Sequence, residues 1–150
     1  MALFDVISED IKKAMIAKDK VALEALRGVK KEFLEAKTAK GASGDLADDA
    51  ALKILQKMVK QRKESAQIFT EQNRPELAEN ELAEAAVIEK YLPAKLSDAE
   101  LEAEIKAIIA EVGAKTAQEM GKVMGVATKK LAGKADGKEI SAKVKALLNS

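Results

Sequence analysis

Apolar residues recur at spacings of three and four along nearly the whole chain, and that period is what most limits the fold. Phe4, Ile7, Ile11 and Ala14 form one stripe on a helix over about 2–17. Asp19 stands as the N-cap of a second helix, about 20–40, striped by Ala22, Leu26, Val29, Phe33 and Ala36. "GASGD" at 41–45 reads as a turn. A long helix over about 48–72 follows, with Ala51, Leu55, Met58, Ala66 and Phe69 near one face. Pro75 suits the first position of a fourth helix that runs to about Tyr91, because its missing N–H would find no partner there anyway. Pro93 disfavours helix for Leu92, so a domain boundary is placed there.

Three shorter helices are expected beyond it. "SDAE" at 97–100 fits a capping box ahead of Leu101, Ile105, Ile108 and Val112, and that helix stops near Gly113. "TAQE" at 116–119 repeats the signature before Met120, Val123, Met124, Ala127 and Leu131, ending at Gly133. "DGKE" at 136–139 is a weaker version before Ile140, Val144, Leu147 and Leu148. The expected fold is all-α: a four-helix unit over 1–93 and a small three-helix domain over 94–150. Composition agrees. Aromatics are 3% of 150 residues and charged residues 34%, a profile that favours helices and leaves a sheet little to pack.

The same composition narrows the chemistry. The chain has no cysteine and no histidine, so thiolate chemistry, the usual general base and the commonest neutral metal ligand are all missing. No catalytic residue, metal site or cofactor is assigned. The start, "MALFDVISEDIKKAM", is amphipathic and acidic, unlike a secretory leader, and no stretch approaches the roughly 18 apolar residues of a membrane span. The expectation is a soluble cytoplasmic protein without a membrane partner.

The net charge of +1 hides an uneven distribution. Residues 113–150 carry eight lysines against Glu119, Asp136 and Glu139. A second basic block, "KILQKMVKQRK" at 53–63, has five positive charges and no acid; Lys53, Lys57 and Lys60 share a face with Gln56 and Lys63. An acidic block at 71–90 holds six glutamates against Arg74 and Lys90, so pairing between helices is one reading of the 53–63 block.

On a helix through 116–131, the face opposite the apolar stripe holds Gln118, Lys122, Gly125 and Lys129, with Gly121 alongside. A mid-helix glycine costs about 1 kcal/mol against alanine. Two compensations are open. "GKVMG" could let another helix pack closely, or a phosphate–sugar backbone could lie on the bare surface between Lys122 and Lys129. "AGKADGK" leads into the next helix, whose N-terminal amides attract anions, but Asp136 as N-cap would fill that place itself. The candidate nucleic-acid-binding set is Gly121, Lys122, Gly125, Lys129, Lys130, Gly133, Lys134 and Lys138, with Lys53, Lys57, Lys60 and Lys63 as a secondary basic face.

The segments "RGVKKEF" (27–33), "LQKMVKQRKESAQIF" (55–69), "NRPELAENELAE" (73–84), "YLPAKLS" (91–97) and "MGKVMGVATKKLAGKADGKEIS" (120–141), in this order, resemble the YqeY family. That family is similar to the tail domain of the aspartyl/glutamyl-tRNA amidotransferase and to domains fused to some glutaminyl-tRNA synthetases. The resemblance covers essentially the full chain. It implies a two-part helical protein and a non-catalytic tRNA-binding accessory role, with tRNA as partner. Val123, Met124, Lys129, Gly133, Lys134 and Ala135 match the tail's motif most directly; Asp136-Gly137 stand where the tail has Asn-Pro. The alternatives are a helical adaptor for a synthetase or amidotransferase, or a component with the family's label of glutamine-dependent carbon–nitrogen ligase. The residues contain no amidase nucleophile arrangement or nucleotide cradle to support the latter.

Overall fold

A computed structural model describes residues 2–39 and 46–149. The turn expected at 41–45 lies outside the described residues. Those described form α1 (Leu3–Ala17), α2 (Lys20–Thr38), α3 (Asp48–Glu71), α4 (Pro75–Glu89), α5 (Asp98–Val112), α6 (Met120–Lys130) and α7 (Gly137–Leu148), with a 3-10 turn at Ala117–Glu119. No strand occurs among them, and the fold is all-α. The chain divides into two compact units, Met1–Leu92 and Pro93–Ser150.

In the first unit the aliphatic stripes meet in one core. Ile7 and Ala14 of α1, Leu26, Val29 and Phe33 of α2, Ala51, Leu55 and Met58 of α3, and Ala85 and Ile88 of α4 are buried together, with Phe4 and Ile11 packed against them. Helices of this length are marginal alone, so burial of the stripe is what holds each one. The links are tight. Lys18 takes a left-handed conformation and closes α1 with its N–H on the Ala14 and Met15 carbonyls. Asp19 then caps α2, its carboxylate accepting from the Ala22 N–H at 3.1 Å. Pro75 opens α4 as expected, but α4 ends at Glu89 rather than at Tyr91. Tyr91 instead donates its hydroxyl proton to Asp10 of α1 at 2.5 Å. Burial, the hydrogen bond and the Asp10 charge push that hydroxyl well above its ordinary range.

One charged group has entered this helical packing. Glu84 of α4 is only 9% exposed. Its carboxylate accepts from the Asn80 amide at 3.1 Å and lies 3.8 Å from the Arg62 guanidinium of α3. The Arg62 Nε is buried without a hydrogen-bond partner. Gly28 of α2 makes room for this arginine: a Cβ there would come within 3.3 Å of its terminal nitrogen.

The second unit is a separate core of Leu101, Ile105 and Ile108 from α5, Val123 and Ala127 from α6, Leu131, Ala135, and Ile140, Val144 and Leu148 from α7. Its three expected capping boxes have different outcomes. Ser97 and Glu100 form both halves of theirs, at 3.2 and 3.1 Å. The Glu100 carboxyl is lowered by accepting from the Ser97 amide and then by the Ser97 side chain. Thr116 makes no side-chain cap; it precedes the 3-10 turn, and Glu119 accepts from the Lys115 N–H at 3.3 Å. Asp136 occupies the N-cap of α7 but its side chain makes no cap hydrogen bond, while Glu139 faces Lys95 at 3.7 Å. The box needs two residues in fixed geometry, and at 116–119 a tight turn takes that stretch of backbone first.

Ser97→Ala is therefore expected to lower the stability of the second unit by about 1 kcal/mol in urea unfolding, whereas Thr116→Ala and Asp136→Ala have little effect. A further expectation concerns pH. Burial, the largest influence, raises the Glu84 carboxyl above its ordinary value of 4.5, outweighing Arg62, which lowers it. A carboxyl raised in the folded state holds its proton more tightly there than in the unfolded chain. Its contribution to stability therefore falls as pH rises from the ordinary value through the folded one. Urea midpoints measured across that range should fall less steeply for Glu84→Gln than for the parent chain.

Candidate nucleic-acid interface

The second unit's apolar core decides which way α6 points. Val123 and Ala127 are buried, and Met120 and Met124 pack at the edge of the core. The opposite side therefore faces solvent: Gly121, Lys122, Gly125 and Lys129 are all exposed, and Gln118 is exposed in the preceding 3-10 turn. The face expected from helical spacing is present, although α6 itself begins only at Met120.

The glycines on this face are open. A Cβ built at Gly121 or Gly125 meets nothing within 4 Å. Neither is among the positive-φ glycines, which are Gly113 and Gly133. So no left-handed turn requires them, and no described helix of the second unit packs against them. Of the two compensations left open by the sequence, close packing of a helix on "GKVMG" has no counterpart among the described residues.

The lysines fall into two groups. Lys130 donates to Glu111 of α5 at 2.5 Å, Lys143 pairs with Asp98 at 2.8 Å, and Lys95 and Lys106 face Glu139 and Glu102. Hydrogen bonding to Asp98, the larger influence, raises the Lys143 ammonium above its usual value. Lys122, Lys129, Lys134 and Lys138 are exposed and pair with no carboxylate among the described residues. Lys122 and Lys129 thus flank Gly125 as free cations. Lys130 is engaged, but exposed pairs of its kind are worth under about 1 kcal/mol and are readily exchanged for another anion.

Gly133 departs from the expectation of bare surface. It is buried, with φ of +77°, in the turn between α6 and α7. Its role is conformational: only a residue without a Cβ enters that region at little cost. The same turn is anchored to the segment before α5, because the Lys134 carbonyl accepts from the Leu96 N–H at 2.9 Å. Lys134 therefore sits on a fixed backbone while its side chain is exposed to solvent. Lys138 lies in the first turn of α7 beside the open Gly137.

The secondary face on α3 is divided. Lys53, Lys57 and Lys60 are exposed, whereas Lys63 pairs with Glu89 of α4. With Arg62 turned to Glu84, the acidic fourth helix takes two of the five positive charges of this block. The buried arrangement of Arg62, Glu84 and Gly28 is not legible from the sequence. The one available signal is a glycine in the middle of a strong helix.

No group of three or more metal-ligating side chains occurs among the described residues. None of their helices is long and apolar enough to cross a membrane.

The profile of a family described as Yqey-like protein matches residues 4–148. Similar curated proteins bear the name "Altered inheritance of mitochondria protein 41, mitochondrial". The one from Clavispora lusitaniae is 34% identical over 118 residues, covering 77% of this chain and 68% of the relative. The one from Lachancea thermotolerans is 32% identical over 108 residues, covering 71% and 57%. That from Pyrenophora tritici-repentis is 29% identical over 151 residues, covering 96% and 80%. The match thus spans little more than half the length of the Lachancea relative. The expected cytoplasmic location is overturned by these names, which are those of mitochondrial proteins. That expectation rested on a start that does not read as a secretory leader and on apolar runs too short for a membrane span, and neither reading separates cytoplasm from mitochondria.

If nothing within the unit needs bare backbone on α6, adding a methyl there should help the helix. Gly125→Ala is expected to raise the stability of the second unit by about 1 kcal/mol in chemical unfolding, and Gly121→Ala, in the first turn of α6, by less. A loss of stability would mean that a neighbour occupies that surface after all.

Proposed function

This chain belongs to the family of Yqey-like proteins, and we propose that it is a non-catalytic accessory protein that grips structured RNA, tRNA above all, through its second unit. The observation that carries the reading is the open face of α6. Two glycines lie there without a structural neighbour, and Lys122 and Lys129 flank Gly125 without a carboxylate among the described residues. Gly125 lies inside α6, where a glycine costs about 1 kcal/mol of helix propensity, and a small unit that tolerates this has a use for the bare surface. A phosphate backbone fits it: bare main chain permits close approach, and lysines neutralise charge and release counterions.

Lys134 and Lys138 extend the positive surface along the turn into α7, and Lys130 joins it by giving up Glu111. None of these residues is aromatic, so bases have nothing to stack on. Recognition by shape and backbone, rather than by sequence, follows. The chain has no histidine and no cysteine, and no amide-transfer step of its own is assigned to it. A synthetase or an amidotransferase is the enzyme beside which such a module would act.

Binding of a folded tRNA is expected to weaken with salt, with a log–log slope of about −3 to −4 for four or five phosphate contacts. Lys122→Glu with Lys129→Glu should abolish binding while the circular dichroism spectrum is unchanged. Gly125→Ala should weaken it despite stabilising the helix. Salt-independent affinity, or no affinity for tRNA at low salt, would sink the reading. A glutaminase assay on the purified chain is expected to show no turnover.

A further inference from the structure

The outward face of α2 carries a feature that RNA binding by the second unit leaves unused. Positions 27, 31, 34 and 38 are spaced four, three and four residues apart, so Arg27, Lys31, Leu34 and Thr38 form one exposed stripe. With Lys30 and Glu35 they line a shallow groove. Its apolar centre is Leu34, which is 43% exposed, together with the methylene stems of the basic residues. Its rim has three positive charges against the single carboxylate of Glu35.

These charges are not consumed inside the unit. Arg27 and Lys31 pair with no carboxylate among the described residues, although Glu24 and Glu35 stand three and four positions away on the same helix. Lys30 is steadied from below, its ammonium 6.0 Å from the centre of the Phe4 ring, and Lys37 sits on the same ring at 4.1 Å. The Thr38 hydroxyl is already used, donating to the Leu34 carbonyl at 2.9 Å.

We propose that this groove docks an acidic amphipathic helix of a partner protein, with an aliphatic side chain over Leu34 and carboxylates against Arg27, Lys30 and Lys31. Charge complementarity selects the acidic partner. The exposed leucine selects protein over RNA: it gains from burial under another apolar group, which a phosphate–sugar backbone does not supply. The groove residues also include no aromatic ring on which a base could stack. The surface is separate in sequence and in fold from the α6 lysines, so the inference stands or falls apart from RNA binding.

The test uses the full chain and a fluorescently labelled synthetic helical peptide with glutamates along one face and two leucines at helical spacing. A second peptide with lysine for every glutamate is the control. The acidic peptide is expected to bind and the basic one not. Arg27→Glu with Lys31→Glu should weaken binding at least about tenfold, since the rim then repels the carboxylates. Leu34→Ala should weaken it with no change in salt dependence. Lys122→Glu with Lys129→Glu should leave it within about twofold, those residues lying outside the groove. The proposal is overturned if the α6 variant abolishes peptide binding while the α2 variant does not. It is equally overturned if Leu34→Ala has no effect, or if the α2 variant loses tRNA and keeps the peptide. A concentration-dependent dimer that the α2 variant dissolves would make a second copy the occupant, which also overturns it.

Discussion

Burial of one aliphatic stripe per helix is the interaction on which everything else in this protein rests. The helices outside α3 run from 11 to 19 residues, a length at which propensity alone gives marginal stability. Aromatics are too few to supply large buried areas, so the cores rely on leucine, isoleucine, valine and alanine set at helical spacing. Phe33 is the exception, a fully buried ring in the middle of the first core. Each stripe decides the rotation of its helix, and the rotation decides which charges meet each other and which meet water.

That sorting of charge is the main functional consequence of the packing. On α3, Arg62 and Lys63 turn toward carboxylates of α4, as the pairing reading of this block expected, Arg62 largely buried and Lys63 at the surface. On α6 the stripe turns Lys122 and Lys129 away from every acid described in the unit, along with two glycines. On α2 it does the same for Arg27 and Lys31, with Leu34 next along the same stripe. A chain of nearly neutral net charge thus presents separate surfaces on which these cations pair with no carboxylate among the described residues.

Much of the architecture is legible in the sequence. The stripes named for α1, α2, α5, α6 and α7 contribute buried residues to the two cores, and Asp19, Pro75 and Ser97 stand where their chemistry placed them. Legibility falls where two local signals compete. At 116–119 the capping signature gives way to a 3-10 turn, and at 136–139 the residues of the box leave one another, with Glu139 facing Lys95. Gly133 reads both as the end of a helix and, grouped with Lys134, as part of a bare basic surface. It is in fact buried, since Leu131 and Ala135 on either side of it enter the core.

The sequence by itself determined the number and place of the helices and the residues that line each stripe. Those depend on interactions between positions three and four apart, which a linear pattern records. Only the tertiary structure decided that Glu84 is buried beside Arg62, that Tyr91 bonds to Asp10, and that Lys130 is paired while Lys129 is not. Those partners lie 19 to 81 residues apart, as with Lys130 and Glu111 or Tyr91 and Asp10. Their meeting is set by how helices pack against one another, and no local period carries that information.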